Sequence, residues 1–247
     1  GRTPTPQRNG LTNQSPVLNV CLEMPELDKN GVLGTRERIL DAAEALFGEE
    51  GFETVSLRDI TGRADANVAS VNYHFGSKDK LIAAVVERHA RPINEERLGF
   101  LDAAEADYAG RIVPVERILE AFLMPMIEHI GKGRMSESLF CKFMGRLMAE
   151  RTFKLPSSVE PLFQEMASRF ARAFMRAVPD ISEPEALWRM HYSFGVMANT
   201  LMHGETLQQI SAGRAGAPTI EEQVRHIIRF CAAGFRAASG AGEEPGS

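Results

Sequence analysis

The segment from Asn67 to Lys78 combines hydrogen-bonding, aromatic and basic side chains, and it contains no acidic residue. Ser and Asn can donate to or accept from base edges in the major groove, and an Ala methyl group can contact a thymine methyl. Lys, Tyr and His suit phosphate oxygens, which position a protein on the duplex. We therefore predict a DNA-binding surface with the candidate residues Thr35, Ser56, Asn67, Ala69, Ser70, Asn72, Tyr73, His74, Ser77 and Lys78.

Three short helices must position these side chains. Thr35 is predicted to cap the first, which ends at Gly51. Ser56 and Asp59 have the spacing of a capping box that opens the second, and Asn67 is predicted to cap the third. Three helices with a tight connection between the second and third are typical of a helix-turn-helix, whose last helix enters the major groove.

The third helix is predicted to have a buried face and an outer face. At about 100° per residue, Val68, Val71 and Phe75 cluster on one side, which we expect to be buried. The opposite side carries small, neutral, hydrogen-bonding side chains, which suit a helix that lies close to base edges. Asp65 stands in the preceding turn, where Asp tolerates the left-handed conformation better than most residues.

The charge of the chain is unusual for a nucleic-acid binder. The formal net charge is −5, and residues 34–80 hold six basic and nine acidic residues, a balance of −3. Basic patches normally supply much of the affinity for DNA by neutralising phosphates. We therefore expect a shallow salt dependence and a reliance on two heads that act together.

Residues 35–81, TRERILDAAEALFGEEGFETVSLRDITGRADANVASVNYHFGSKDKL, resemble the N-terminal domain of the TetR family of regulators. The resemblance rests on TRERILDAAEALF, GF-x-x-T, SLRDI and YHFGSK-x-x-L, in that order and at the family's spacing. It implies that Tyr73, His74 and Lys78 contact the DNA backbone. It also implies that the residues from Asn67 to Asn72 face the groove.

Two positions depart from the family pattern. The turn reads Ala64-Asp65-Ala66 where the family usually has Ala-Gly-Val, and Asn72 stands where the family most often has Tyr. Tyr73 follows it, which moves the aromatic hydroxyl by about 100° around the helix. We therefore expect Tyr73, and not position 72, to supply the aromatic contact.

A long fourth helix is predicted from a cap at Ser77 to about Pro92. Pro92 and Pro125 fall inside apolar periodic segments, and each is expected to kink its helix. No strand-like alternation of useful length occurs. We predict an all-α fold of about nine helices, of which the last five lie near residues 114–130, 136–151, 157–178, 183–210 and 220–238.

The C-terminal half is rich in Phe and Met, which fit either a core or an adaptable pocket for a small apolar ligand. It loosely resembles a TetR subgroup that responds to fatty acids or acyl-CoA, on VNYHFGSK in the head, LWRMHYSFGVMANTL at 187–201 and VRHIIRFCAAGFRAASG at 224–240. The resemblance implies a fatty acyl effector. The candidate pocket residues are Phe122, Met126, Phe143, Leu147, Phe170, Trp188 and Tyr192.

The last two helices have apolar faces with small residues, which allow close helix approach. In the family such a pair docks on its two-fold mate as a four-helix bundle, so a homodimer and a palindromic double-stranded DNA operator are implied. Ligand binding would move the fourth helix and change the separation of the two heads. The small residues concerned are Gly195, Ala198, Ala232, Ala233 and Gly234.

Four segments are predicted. Residues 1–33 form a disordered arm rich in Pro, Asn, Thr and Gly, and residues 240–247 form a flexible tail. Between them, 34–81 form the helix-turn-helix head, joined by a long helix to a ligand-binding and dimerisation domain at 82–239.

Several function classes are disfavoured by the motifs. The six histidines show no metal spacing, no GxSxG or phosphate-binding loop occurs, and the three cysteines are widely spaced. We expect no catalysis, metal or cofactor, and a cytoplasmic protein without a membrane segment. The alternatives are a helical interaction module that does not bind DNA and an enzyme of unknown class.

Overall fold

The computed structural model describes residues 34–130, 137–149 and 154–238, and the predicted arm and tail lie outside them. The regular structure of these ranges is helical throughout, which confirms the predicted all-α fold. The described residues from Thr35 onward form one compact unit. Its helices are α1 (Thr35–Glu50), α2 (Leu57–Arg63), α3 (Val68–His74), α4 (Lys78–Asp107), α5 (Val115–Ile130), α6 (Glu137–Ala149), α7 (Glu160–Ala177), α8 (Glu183–Ile210) and α9 (Ile220–Arg236).

The head packs around one side of α1. Ile39 and Phe47 are fully buried there, and Ile60 of α2 and Val71 of α3 are buried against them. Gly51 ends α1 at φ +92°, where its N–H donates to the Phe47 carbonyl over 3.0 Å. A positive φ of this kind favours glycine, as predicted for this helix end.

The predicted end of the fourth helix near Pro92 is wrong, because α4 continues through Pro92 to Asp107. A proline inside a helix removes one hydrogen-bond donor, and tertiary packing can outweigh that loss. Here the segment after Pro92 buries Ile93, Leu101 and Ala104, and α4 packs chiefly on α5 and α7. The predicted boundary between residues 81 and 82 falls inside this helix.

The helices from α4 to α9, here called the body, are held together by aromatic contacts between α5, α7 and α9. The rings of Phe174 and Phe235 stack with centroids 4.0 Å apart, and those of Phe122 and Phe170 lie 5.3 Å apart. Pro125 lies inside α5. The long α8 contains one residue with non-helical dihedral angles, His203, so its two parts do not form one straight helix.

Helix α6 packs on α1 and joins the body to the head. A Cβ added at Gly48 would lie 2.9 Å from Cδ1 of Leu139, so the missing side chain allows this close approach. Phe143 of α6 also contacts Phe52 of the head, with ring centroids 5.6 Å apart. Across the described parts of the chain, each helix is too short or too polar to cross a membrane.

Candidate nucleic-acid interface

Three of the predicted caps are present at the predicted residues. The Ser56 hydroxyl accepts from the Asp59 N–H over 3.3 Å, and the Asp59 carboxylate accepts from the Ser56 N–H over 2.8 Å. Asn67 Oδ1 accepts from the Ser70 N–H over 2.8 Å, and Ser77 accepts in the same way at the start of α4. Hydrogen bonds from the Ser56 hydroxyl and then its backbone hold the pKa of Asp59 below its usual value.

Thr35 is placed differently. It is the first residue of α1 and not its cap, and its side chain is half-buried.

The turn between α2 and α3 has the predicted backbone. Asp65 adopts φ +47°, in the left-handed region, and the Ala66 N–H donates to the Thr61 carbonyl over 3.0 Å. Arg38 of α1 reaches this turn and donates from Nε to the Ala64 carbonyl over 3.1 Å. Arg38 therefore ties the first helix to the turn that orients α3.

The inner face of α3 is narrower than predicted. Val71 and Phe75 are buried, but Val68 is 38% exposed, so its predicted burial is wrong. Helical side chains lean toward the N-terminus, and Val68 is the first residue of a seven-residue helix. Its side chain therefore extends past the region that packs on α1 and α2. This adds an apolar group to the outer surface of α3.

The outer face of α3 carries the aromatic residue singled out by the sequence. Tyr73 is 85% exposed, and its ring stands edge-on to His74 with centroids 5.0 Å apart. A tyrosine so little buried contributes almost nothing to the core. Among the other candidates, Ser56, Asn67, Ala69 and Asn72 are exposed, and Ser70, His74, Ser77 and Lys78 are half-buried.

Basic residues outside α3 border this surface, and of these the sequence pattern singled out only Lys78 and not Arg36, Lys80 or Lys154. The guanidinium of Arg36 in α1 lies over the Phe75 ring, 5.4 Å from Cζ to the centroid. Lys78 lines an open groove of about 590 Å³ together with Lys80 and Lys154. Lys154 is 76 residues away from Lys78 in the chain, so only the fold could bring the two together.

Much of the acidic excess of the head is paired with arginines of the same chain. Arg88 of α4 pairs with Asp41 at 2.7 Å, with Glu44 at 3.1 Å and with Glu37 at 3.3 Å. Arg63 pairs with Glu49 at 2.7 Å. Each of these four carboxylates thus lies beside an arginine, and the exposed face of α3 itself has no acid.

The seven candidate pocket residues do not form one site. Phe122, Met126, Phe143 and Phe170 are buried and Leu147 is half-buried, whereas Trp188 and Tyr192 are 59% and 60% exposed. The last two stack on each other along the outside of α8, with ring centroids 5.8 Å apart. Trp188 and Tyr192 therefore do not line a pocket with the other five candidates. A spacing of four residues places two side chains on one face of a helix, but it does not indicate whether a neighbouring helix covers that face.

The apolar cavity beside Met126 is small. Met126 lines an apolar cavity of only about 20 Å³, which is room for about one water molecule. Pockets for small ligands usually measure about 300–1,000 Å³. The cavity is lined by Met126, Ile130, Phe140, Met144, Phe194, Met197, Ala198, Leu201 and Met202.

Besides His89, α4 buries two polar residues, Asn94 and Arg97, which the sequence pattern did not single out. Asn94 is fully buried and Arg97 is 4% exposed. Arg97 donates from Nε to the Phe122 carbonyl over 2.7 Å and from Nη1 to Asn94 Oδ1 over 3.0 Å. Burial lowers the pKa of Arg97 to about 10.

A capped tri-helical head that presents an acid-free, largely exposed helix face defines a helix-turn-helix DNA-binding regulator. The sequence comparisons extend that class to a family. Residues 39–85 match the family model "Bacterial regulatory proteins, tetR family", and residues 120–234 match "Tetracyclin repressor-like, C-terminal domain". The chain belongs to the TetR family. The family consists of transcriptional regulators, in line with the expectation that the chain is not an enzyme.

Curated relatives are similar over part of their length. The HTH-type transcriptional repressor KstR2 of Rhodococcus jostii is 26% identical over 145 residues, which cover 58% of this chain and 66% of KstR2. The repressor NicS of Pseudomonas putida is 36% identical over 78 residues, 31% of this chain and 37% of NicS. These alignments thus leave a third or more of each relative unmatched.

Solved structures show the same fold. SmeT, the repressor of the Stenotrophomonas maltophilia efflux pump SmeDEF, has a TM-score of 0.53 at 24% identity and covers 81% of this chain and 90% of SmeT. The hemolysin II regulator HlyIIR has a TM-score of 0.52 at 19% identity, with 79% and 96% coverage.

Proposed function

We propose that this chain is a homodimeric repressor that binds a palindromic operator and is released from it by a small apolar ligand. The observation that carries the proposal is the outer face of α3. Tyr73 projects from it almost fully exposed, while Val71 and Phe75 anchor the opposite face in the core. A helix held on one side and free on the other can enter a major groove as a rigid body.

The side chains of this surface divide into two roles. Ala69, Ser70 and Asn72 lie on or near the exposed face and read base edges. Tyr73 and Lys78 contact phosphates and set the position of α3 on the duplex. Ser56, His74 and Ser77 complete the backbone contacts, and Asn67 faces the groove, as the sequence predicts. Thr35 remains a further candidate at the start of α1.

An exposed apolar surface on α8 and α9 supports the homodimer. Besides Trp188 and Tyr192, Phe230 of α9 is 69% exposed and Leu187 of α8 is 38% exposed. Large aromatic side chains left in solvent in this way mark protein interaction sites. A Cβ added at Gly234 would meet no other atom within 4 Å, so the surface there is open to a partner helix. A two-fold copy that covers these helices would present two heads to one face of the DNA.

The ligand response follows from the small size of the cavity beside Met126 and from the path of α4. A ligand must open the cavity beside Met126, and methionine side chains such as Met144, Met197 and Met202 can be displaced at small cost. Opening the cavity moves α5, and α4 packs against α5. Because α4 begins at the head, this movement is passed on to the head. The separation of the two heads then changes, and the operator affinity falls.

The experiment is a genome-wide footprint of the purified full chain, followed by fluorescence anisotropy on the sites that it finds. We expect inverted-repeat sites, one dimer per site, and a reduced affinity for the variants Tyr73→Ala and Lys78→Ala. Tyr108→Ala is the matched control, because Tyr108 is half-buried at the end of α4, outside the proposed surface. Binding to no particular DNA sequence would favour a helical interaction module instead.

A further inference from the structure

Arg97 is a buried cation without an anion. Its guanidinium lies between α4 and α5, and none of the described carboxylates pairs with it. The guanidinium donates to the Phe122 carbonyl and to Asn94 Oδ1. It also lies over the Phe122 ring, 4.8 Å from Cζ to the centroid. An unpaired charge in the interior costs far more than a neutral side chain of the same size, so its presence calls for a reason.

Two hydrogen-bond donors at this place are unused. Arg97 Nη2 and Asn94 Nδ2 are both buried and have no hydrogen-bond partner. They are neighbours, because Asn94 accepts through Oδ1 from Nη1 of the same guanidinium. Two adjacent N–H donors, one of them charged, match the two oxygens of a carboxylate.

We propose that Arg97 and Asn94 form the headgroup site for an amphipathic monocarboxylate, a ligand with one carboxylate on an apolar body. The inference deepens the proposed function, on which it rests for the role of the ligand. The carboxylate accepts from Arg97 Nη2 and Asn94 Nδ2 and neutralises the buried charge. Because both donors are already buried, a neutral ligand would leave the guanidinium unpaired.

The apolar part of the ligand follows the cavity along α5. Phe122, Met126 and Ile130 are spaced four residues apart, so they lie along one side of α5 at intervals of about 6 Å. The first touches Arg97, and the other two line the apolar cavity. A chain that starts at the guanidinium therefore reaches the cavity after about one helical turn and must enlarge it by displacing methionines.

The test compares decanoate with decanamide, which has nearly the same shape and no charge. Binding to the full chain is measured by calorimetry without DNA, so the result is independent of operator binding. We expect decanoate to bind at least about tenfold more tightly, which is the contribution of one charge-assisted contact. Arg97→Met should abolish this preference and leave the affinity for decanamide unchanged. Arg117→Met removes an exposed arginine of α5 and should keep the preference.

Thermal unfolding supplies a second readout. Arg97→Met should leave the ligand-free Tm unchanged or raise it, because an unpaired buried charge is replaced by an apolar side chain of similar length. Equal binding of the two ligands to the wild type, binding of neither, or a preference that survives Arg97→Met would overturn the headgroup site. Should the chain bind decanoate through Arg97 and yet fail to bind operator DNA, only the proposed repressor function would be lost.

Discussion

Nε2 of His89 lies 3.1 Å from a carboxylate oxygen of Glu44, and this contact joins α4 to the first helix of the head. On its other side, His89 Nδ1 lies 3.3 Å from Nε2 of His129 in α5. The three side chains thus form a row from the head through α4 into the body. The imidazole of His89 also packs on Phe140 and Phe143, with centroids 5.6 Å apart in each case. A displacement of α5 by a ligand would reach the head directly along this row.

Glu44→Gln should lower the free energy of unfolding by about 2 kcal/mol at neutral pH, because it removes a buried carboxylate from contact with Arg88 and His89. Arg88 keeps its ion pairs with Asp41 and Glu37. Burial by itself would raise the pKa of Glu44, but contact with His89 and the charges of His89 and Arg88 outweigh it, so the pKa lies below the usual 4.5. A carboxyl with a lowered pKa stabilises the fold above its unfolded pKa, and the stabilisation is lost as the pH falls through the folded pKa. Urea denaturation of both proteins should therefore show a difference that shrinks below about pH 4.5.

Glu120→Gln is the control for this measurement, since Glu120 pairs with Arg117 on the exposed side of α5. An exposed pair of this kind contributes about 0–1 kcal/mol. If the difference in free energy of unfolding between the wild type and Glu44→Gln stayed constant through the acid range, the proposed stabilising role of the Glu44 carboxylate would be refuted.

Tyr73→Phe should weaken operator binding about fivefold to tenfold, because the hydroxyl supplies one hydrogen bond to a phosphate, worth about 1 kcal/mol. The Tm should stay unchanged, since the side chain is 85% exposed. Anisotropy titration measures the affinity, and Tyr108→Phe is the matched control. An unchanged operator affinity would show that the Tyr73 hydroxyl does not contact DNA.

Lys78→Ala should reduce the salt dependence of operator binding by about two released ions per dimer, since each subunit loses one phosphate contact. For the wild type, the logarithm of the affinity should fall only slowly with the logarithm of the salt concentration, because the head carries six basic and nine acidic residues. Affinities measured over a series of salt concentrations give both slopes. A wild-type slope near ten would contradict the expectation, as would an unchanged slope in the variant. Arg117→Ala, on the body, should leave the slope as it is.

Trp188→Glu should convert the dimer into a monomer, because a carboxylate would be buried without a partner at the centre of the proposed interface. Phe230→Glu on α9 should act in the same way. Sedimentation equilibrium measures the mass, and operator affinity should fall with the loss of the dimer. Ile112→Glu is the control, since Ile112 is 64% exposed in the α4–α5 connection. A Trp188→Glu protein that stayed dimeric would place the interface elsewhere.

The features that the sequence determined by itself are local. The caps at Ser56, Asn67 and Ser77 and the left-handed Asp65 all appear where the residue types predict them. Each depends on hydrogen bonds or sterics within about three residues, so neighbours in the chain suffice to specify it. The same holds for α8, whose predicted span of 183–210 is the observed one.

Tertiary structure alone decided which side of each helix was covered and which polar groups met. Periodicity showed an apolar stripe on α8 but could not place Trp188 outside the monomer. The contact of Glu44 with His89 and the meeting of Arg97 with the Phe122 carbonyl join residues 45 and 25 positions apart. Such contacts depend on how whole helices pack against one another. That packing depends on shape complementarity across the core, which cannot be deduced from the spacing of residues within one helix.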